Sequence, residues 1–222
     1  MPTDPAPQIL IAHRPRAAWL FALLTVLLLG LDLGSKAWSF RSVGPVPVEI
    51  RLGEKGPEVR AGVPDAPWEE VQLNHQPRLL AGIKPVTVAP KVLNLQLLVN
   101  QGAVFGIGQG KRFFFIGMSL VALAVIGWYL WRSPAKARFT HAGLALILAG
   151  ALGNLFDRVA YGGVRDMLHM LPGVELPFGW HWPGGVTEAY PWVFNVADVE
   201  LLAGVGLLLV IGLFAKPEKN DK

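Results

Sequence analysis

A long apolar run that ends in polar residues decides the fold: "FTHAGLALILAGALGNLFDRV", residues 139–159. Most of this stretch is apolar, and about 20 such residues in a helix cross the hydrocarbon core of a bilayer. Asn154, Asp157 and Arg158 then lie at or near the end of the helix. Polar and ionisable side chains at membrane depth are costly and are usually kept for a function. The stretch therefore predicts a membrane protein with a polar site at one end of a helix.

The composition of the whole chain favours the same class. Of its 222 residues, 52% are hydrophobic and 16% are charged, and the mean hydropathy is +0.41. There is no Cys, which excludes a disulfide framework and a thiol nucleophile. The five His show no metal-ligand spacing such as HExxH. We expect neither a metal nor an organic cofactor. The basic residues behind the net charge of +4 do not gather on one periodic face, and nucleic acid is not an expected partner.

Four segments qualify as transmembrane helices, at about 17–38, 113–131, 139–156 and 195–215. A cleaved signal peptide is the alternative for the first segment. Its apolar stretch is long for that purpose, and Asp32 and Lys36 follow in place of a small-residue cleavage site. We interpret it as a retained span, and residues 1–222 as a single membrane domain.

Basic residues in short flanking segments set the orientation of membrane helices. They precede the first span, fill the link between the second and third, and follow the fourth: Arg14, Arg16, Arg132, Lys136, Arg138, Lys216, Lys219 and Lys222. Both termini are therefore predicted to be cytoplasmic. Lys111 and Arg112 fall on the opposite side, as an exception to the rule.

Two long connections then lie outside the cytoplasm, at about 41–111 and 159–194. Period-2 alternation at 46–52, 85–90 and 92–100 predicts short strands. Residues 53–84, with their Gly, Pro and acidic groups, are interpreted as an irregular insertion. The second connection carries aromatic side chains that suit a membrane interface: Phe178, Trp180, Trp182, Tyr190 and Trp192. The predicted fold class is an all-α integral membrane protein of four transmembrane helices with a small extracytoplasmic β unit.

The polar residues of this topology all fall at one depth. At 1.5 Å per helical residue, Asp32 lies about 23 Å from Ala17, near the outer end of its span. Asn154 lies about as far along the third span, and Asp198 falls in the first turn of the fourth. The stretch "NQGAVFG" at 100–106 precedes the second span on the same side. These positions predict one site built between the outer ends of the helices.

Most of these residues also have a purely structural explanation. Asp32 and Lys36, at i and i+4, can form an ion pair on a helix surface. Asp157 and Arg158 can be a charged pair at a helix end, with Arg158 reaching to the interface. Asn195 can cap the fourth helix. Gly102 and Gly106 can permit a turn, and Phe105 can be an anchor at the membrane interface.

Two acidic residues are harder to explain in this way. Asp198 has no basic residue within one helical turn and precedes a long apolar helix. Asp166 lies in "GGVRDML", just past the third span, beside Arg165. Two close carboxylates do not both ionise easily and come to share a proton. One can then activate water while the other protonates a substrate, so the pair is suited to general acid–base chemistry.

Four blocks of the sequence carry a family resemblance. They are "DLGSK" at 32–36, "NQGAVFG" at 100–106, "GNLFDR" at 153–158 with "GGVRDML" at 162–168, and "FNVAD" at 194–198. In this order they resemble the blocks of lipoprotein signal peptidase (signal peptidase II), the membrane aspartyl proteases of bacteria. The resemblance covers most of the chain, and four blocks in order are far more specific than any one of them.

The resemblance implies that Asp166 and Asp198 are the catalytic pair. It implies supporting or substrate-binding roles for Asp32, Lys36, Asn100, Gly102, Phe105, Gly106, Asn154, Asp157, Arg158, Asn195 and Ala197. The implied substrate is a prolipoprotein cleaved before a Cys that carries a diacylglyceryl group. We further expect a monomer in the bacterial inner membrane, in contact with membrane lipids, with its site near the periplasmic face and sensitive to globomycin.

Some features depart from the family pattern, and two other functions remain as alternatives. The first outer connection is longer than expected, and Glu200 stands where a small or uncharged residue is more usual. A proton-linked transporter would place polar residues through the full depth of the bundle, whereas the inner halves of the spans are almost wholly apolar. A non-catalytic scaffold would tolerate replacement of Asp166 and Asp198.

Overall fold

Four long helices form the membrane part of the protein. The computed structural model describes residues 15–63, 65–71, 83–102, 108 and 110–214. The helices are α1 Pro15–Ser42, α2 Arg112–Arg132, α3 Arg138–Ala160 and α4 Val196–Phe214. Each is long and apolar enough to cross a membrane, which confirms the four predicted spans. Helices α1 and α3 continue about one turn beyond their predicted ends, so Asp157 and Arg158 are helical.

Two antiparallel sheets accompany the helices. Strands β1 Val48–Leu52, β2 Pro57–Ala61 and β3 Glu69–Glu70 form a three-stranded sheet in that order. Strands β4 Val86–Ala89, β5 Leu93–Asn100, β6 Val164–Met170 and β7 Val193–Phe194 form a four-stranded sheet. The second sheet joins the two long connections, because β5 of the first pairs with β6 of the second. The predicted β unit is confirmed, and it is larger than expected.

The interpretation of residues 53–84 as irregular is wrong for β2 and β3. Strand β2 is aligned on β1 by charged cross-strand pairs, with Arg51 Nε 2.6 Å from Glu58 Oε2 and Arg60 Nη2 2.7 Å from Glu49 Oε2. A search for alternating apolar residues does not detect a strand whose partners are ion pairs. Residues 72–82 of the same segment lie outside the described residues.

Strand β6 was also missed, for a different reason. Almost all of its residues are buried, on both faces, so its sequence "VRDMLHM" shows no alternation of apolar and polar positions. Its central position between β5 and β7 explains this burial. Asp166 therefore stands on a buried strand and not on a loop surface.

Helix α3 is the centre of the bundle, and glycines let its neighbours approach. Half of its apolar window is buried, against 17% or less for the other three helices. A Cβ at Gly150 would collide with the backbone oxygen of Ala197 on α4, and one at Gly153 with the carboxylate of Asp32 on α1. Small residues allow close helix contact in a membrane, where apolar burial alone drives little association. The glycines thus bring the polar ends of α1, α3 and α4 together.

A hydrophobic core fixes the sheets on the ends of the helices. It is formed by the end of α1, both sheets and the turn after α1: Phe40, Val43, Val48, Val59, Ile83, Leu97, Val99 and Met167. Since β6 contributes to this core, the strand is held rigidly against the helix ends. Many apolar side chains along the helices are instead exposed, such as Leu23, Leu27, Val121 and Leu209, as expected for surfaces that face lipid.

Candidate active site

Asn154 links three helices at the centre of the polar site. Its Oδ1 accepts hydrogen bonds from Lys36 Nζ of α1 at 2.9 Å and from Asn195 Nδ2 at 3.2 Å. Its Nδ2 donates to Asp198 Oδ1 of α4 at 3.0 Å. The clusters that topology placed at one depth are therefore in direct contact, and the predicted convergence is observed.

A buried group of four charges lies beside Asn154. Lys36 and Asp32 form the expected i, i+4 ion pair at 2.7 Å, but both side chains are fully buried and not on a helix surface. Lys36 also lies 3.5 Å from Asp157, whose second partner is Arg165, with Nη2 2.8 Å from Oδ1. Two cations and two anions make this group neutral, which lowers the cost of burying it. Asp157 thus pairs with Lys36 and Arg165 and not with its neighbour Arg158.

Arg158 turns towards the residues that precede α2. Its Nη2 donates to the backbone oxygen of Gly102 at 3.0 Å, and its Nη1 to that of Asn154 at 3.3 Å. The guanidinium group stacks on the ring of Phe115, 5.2 Å from its centroid. The side chain therefore ties the end of α3 to the "NQGAVFG" segment, of which Phe105 and Gly106 lie outside the described residues.

The first turn of α4 is capped and is also part of the site. Asn195 Oδ1 accepts from the backbone N–H of Asp198 at 3.1 Å, and Asp198 Oδ2 accepts from the N–H of Asn195 at 3.2 Å. This reciprocal pair is a capping box, so the predicted cap is observed. The N–H of Ala197 donates to Asp32 Oδ1 at 2.9 Å, which satisfies another free donor of the helix start. Asn195 in addition donates through Nδ2 to Asp166 Oδ1 at 2.6 Å.

Asp166 and Asp198 are both held by Asn195. Asp166 is 1% exposed, and its second oxygen accepts from Asn100 Nδ2 at 3.1 Å. All four carboxylate oxygens therefore accept a hydrogen bond, from Asn195, Asn100 or Asn154. These donors are neutral amides, so they orient the two groups without adding a positive charge that would fully ionise both.

The surroundings of Asp166 and Asp198 disfavour the ionisation of both carboxyl groups at once. Burial raises the pKa of the Asp166 carboxyl well above its usual value, and the negative charge of Asp198 raises it further. The hydrogen bonds from Asn195 and Asn100 act in the opposite direction. Burial likewise raises the pKa of the Tyr190 hydroxyl, and both carboxylates add to this effect. These effects favour a state in which the pair carries one negative charge and not two.

Sequence reasoning missed two residues beside the site. Tyr190 was interpreted only as an interfacial aromatic. Its hydroxyl nevertheless lies within electrostatic range of the carboxylates of Asp166 and Asp198. Arg112, the exception to the charge rule, donates to the backbone oxygens of Arg158 at 2.7 Å and Val159 at 3.1 Å. It therefore caps the last turn of α3, where a basic side chain is favourable.

Within the described parts of the chain, no three His, Asp or Glu side chains are arranged to hold a metal ion.

Four helices able to span a membrane, with a hydrogen-bonded pair of carboxylates at one end, define a polytopic membrane protein with the elements of an acid–base site. The chain belongs to the signal peptidase II family of proteases, since a family model described as signal peptidase (SPase) II matches residues 69–214. The resemblance predicted from the four sequence blocks is thereby confirmed.

Several curated relatives carry the name lipoprotein signal peptidase. Those of Methylobacterium sp. and Yersinia pestis are 37% and 35% identical over 131 residues, which is 57% of this chain and 69% of each relative. That of Cupriavidus pinatubonensis is 39% identical over 131 residues, 64% of its length.

Two solved structures of a bacterial membrane enzyme share the fold. One has a TM-score of 0.60 and covers 92% of this chain and 93% of its own, and the other has a TM-score of 0.57 with 89% and 95% covered. Both are 23% identical to this chain, so the likeness supports the architecture alone. It extends over nearly the whole chain, including parts that precede the family match.

Proposed function

We propose that the chain is an aspartic endopeptidase that removes signal peptides from diacylglyceryl-modified prolipoproteins by cleaving before the lipidated Cys. The observation that carries the proposal is the pair of carboxylates formed by buried Asp166 and half-buried Asp198, both hydrogen-bonded to Asn195. Membership of a protease family and a pair of carboxylates joined through Asn195 together favour water-mediated peptide hydrolysis.

The two carboxylates act as one catalytic unit. The ionised member takes a proton from a water molecule, whose oxygen attacks the scissile carbonyl carbon. The protonated member donates a hydrogen bond to the carbonyl oxygen and stabilises the tetrahedral intermediate. When the C–N bond breaks, a proton passes to the leaving amine, and no covalent acyl-enzyme forms. Acid and base roles belong to the pair as a whole, because the two groups titrate together.

The surrounding residues position the pair. Asn195 sets the relation between the two carboxylates, while Asn100 and Asn154 each hold one of them from outside. Arg158 places a positive charge within electrostatic range of both, which favours the single negative charge that the resting pair carries. Precise orientation of this kind supplies much of the rate of an enzyme.

We further propose that the site lies near the periplasmic face, that both termini are cytoplasmic and that the protein is a monomer. Arg132 and Arg138 stand at the ends of α2 and α3 that are remote from the site, where the positive-inside rule places the cytoplasm. In this arrangement the acyl chains of the substrate remain in the outer leaflet. The lipid anchor then fixes the depth of the scissile bond at that of the carboxylates.

The substrate class is tested with matched precursors. Purified full-length protein in detergent is incubated with a preprolipoprotein that carries the diacylglyceryl group and with the same precursor left unmodified. We expect cleavage of the modified precursor alone, and inhibition of that cleavage by globomycin. Equal cleavage of both precursors would refute the proposed substrate class.

A further inference from the structure

A cavity lies at the end of α1, away from the carboxylate pair. Its volume is about 520 Å³, and it is formed by the last turns of α1, the strand β1, Trp68 of the first connection and the start of β6. Its lining includes Phe40, Arg41, Val48 and Arg165. The cavity therefore combines apolar, aromatic and cationic side chains with one carboxylate, that of Glu49, which is paired with Arg60.

Strand β6 separates this cavity from the proposed active site. Consecutive residues of a strand point to opposite faces. Asp166 points to Asn195 and Asn100, whereas Arg165 points to Asp157 and lines the cavity. A ligand in the cavity would contact the opposite face of β6 from the substrate.

The cavity offers cationic donors that the protein does not use. Arg165 is held by Asp157 through Nε and Nη2, but its Nη1 makes no hydrogen bond to the described residues, although the side chain is only 8% exposed. Arg41 makes no ion pair or hydrogen bond with the described residues and is exposed at the rim. Guanidinium groups with free donors bind phosphate oxygens well, because the planar fork matches their geometry.

The two arginines that contact Trp68 are each neutralised by a glutamate. Trp68 makes cation–π contacts with Arg51 and Arg60, whose guanidinium carbons lie 4.2 and 4.6 Å from the ring centroid. These two arginines are paired with Glu58 and Glu49. The positive charge left over at the cavity is therefore that of Arg41.

The remaining lining is mostly apolar, with Glu49 and Tyr161 as its polar members, and it lies beside the last turns of a membrane helix. Phe40 and Val48 are buried in the core beneath the sheets. Trp38, on the last turns of the same membrane helix, is 57% exposed, as interfacial tryptophans are. Basic pockets beside membrane helices bind the head groups of anionic lipids.

We propose that this cavity binds the phosphate head group of an anionic glycerophospholipid, with Arg41 and Arg165 on the phosphate and the glycerol backbone against Phe40 and Val48. Strand β1 and Trp68 precede residue 69, where the family match begins, so the wall of this site lies outside that match. In this proposal, the first outer connection, which is longer than expected for the family, contributes β1 and Trp68 to a lipid-binding site.

The test measures lipid binding to the full chain in neutral detergent. Native mass spectrometry and thermal unfolding are recorded with phosphatidylglycerol, with phosphatidylcholine and with free glycerol 3-phosphate. We expect phosphatidylglycerol alone to stay bound and to raise the unfolding temperature. Glycerol 3-phosphate that binds as tightly as phosphatidylglycerol would overturn the lipid identification, and phosphatidylcholine that binds as tightly would overturn the selectivity for an anionic head group.

Two arginine variants locate the site. Arg41→Gln should weaken phosphatidylglycerol binding by about tenfold, the loss expected for one charge-assisted hydrogen bond. Arg138→Gln removes another exposed charge, from the other end of the bundle, and should leave this binding unchanged. Unfolding without lipid serves as the check that both variants are folded. Binding that is the same in Arg41→Gln and wild type, or that falls equally in both variants, would overturn the proposal.

Discussion

Asn195 performs two functions that are usually separate, since it caps α4 and joins the two carboxylates. The cap could be predicted from the sequence, because Asn followed three residues later by an acidic residue is a helix-start pattern. The second function could not, since Asp166 comes from a strand whose position depends on the packing of β6 against β5. At the scale of one residue, sequence predicts local partners and misses those supplied by the tertiary fold.

Replacing Asn195 separates the two functions. Asn195→Ser keeps a capping oxygen but loses the amide donor to Asp166, so it should lower the cleavage rate by about 10²-fold or more while stability changes little. Asn195→Ala loses both and should also cost about 1 kcal/mol of unfolding free energy. Cleavage rates and thermal unfolding of both variants are compared. A fully active Asn195→Ser would contradict the assigned role.

Glu200 is a buried acid that has no hydrogen-bond partner among the described residues. It is 4% exposed, and neither carboxylate oxygen makes a hydrogen bond to the described residues. A buried polar group left unsatisfied costs about 1–3 kcal/mol. Glu200→Leu should therefore raise the unfolding temperature and leave cleavage intact, whereas the exposed Glu54→Leu should change neither. A lower unfolding temperature for Glu200→Leu than for wild type would contradict this account.

At the scale of elements, the helices were predictable and the strands only in part. An apolar run long enough to span a membrane is a strong signal, and all four helices follow from it. Strand β2 depends on ion pairs with β1, and strand β6 is buried on both faces, so neither has the alternation that identifies a half-buried strand.

The contact of α1 with α3 at Gly153 is a test of helix packing. Gly153→Ala places a Cβ against the carboxylate of Asp32, which is fixed by Lys36 and Ala197 and cannot move freely. We expect a loss of about 1–3 kcal/mol of unfolding free energy and reduced cleavage. Gly30→Ala on α1 is the matched control, because a Cβ there meets nothing within 4 Å. If both variants behave like wild type, the close approach is not required.

At the scale of the whole molecule, four blocks spread from residue 32 to residue 198 meet in one hydrogen-bonded site. Topology predicted their common depth, because an even number of spans places these helix ends on one side. The partner of each side chain was not predictable. Asp157, for example, pairs with Lys36 and Arg165, which are distant in sequence or on another element, and not with the adjacent Arg158.

The raised pKa of Asp166 predicts a pH dependence of stability. Between the usual pKa of Asp and the raised value, the folded chain holds a proton that the unfolded chain has lost. Rising pH therefore lowers the unfolding free energy through this window, and the decline ends above the raised pKa. Thermal unfolding across pH should show a flatter profile for Asp166→Asn than for wild type. Parallel profiles would show that Asp166 is not the source of the dependence.

The most direct test of the central claim is the cleavage of a diacylglyceryl-modified preprolipoprotein by Asp166→Asn and by Asp198→Asn, each purified at full length. Because each carboxylate is required for the proton transfers, each variant should lose cleavage by about 10²–10⁴-fold. Both should unfold at or above the wild-type temperature, since one source of charge repulsion is removed. Cleavage at the wild-type rate by either folded variant would contradict the carboxylate pair as the catalytic unit.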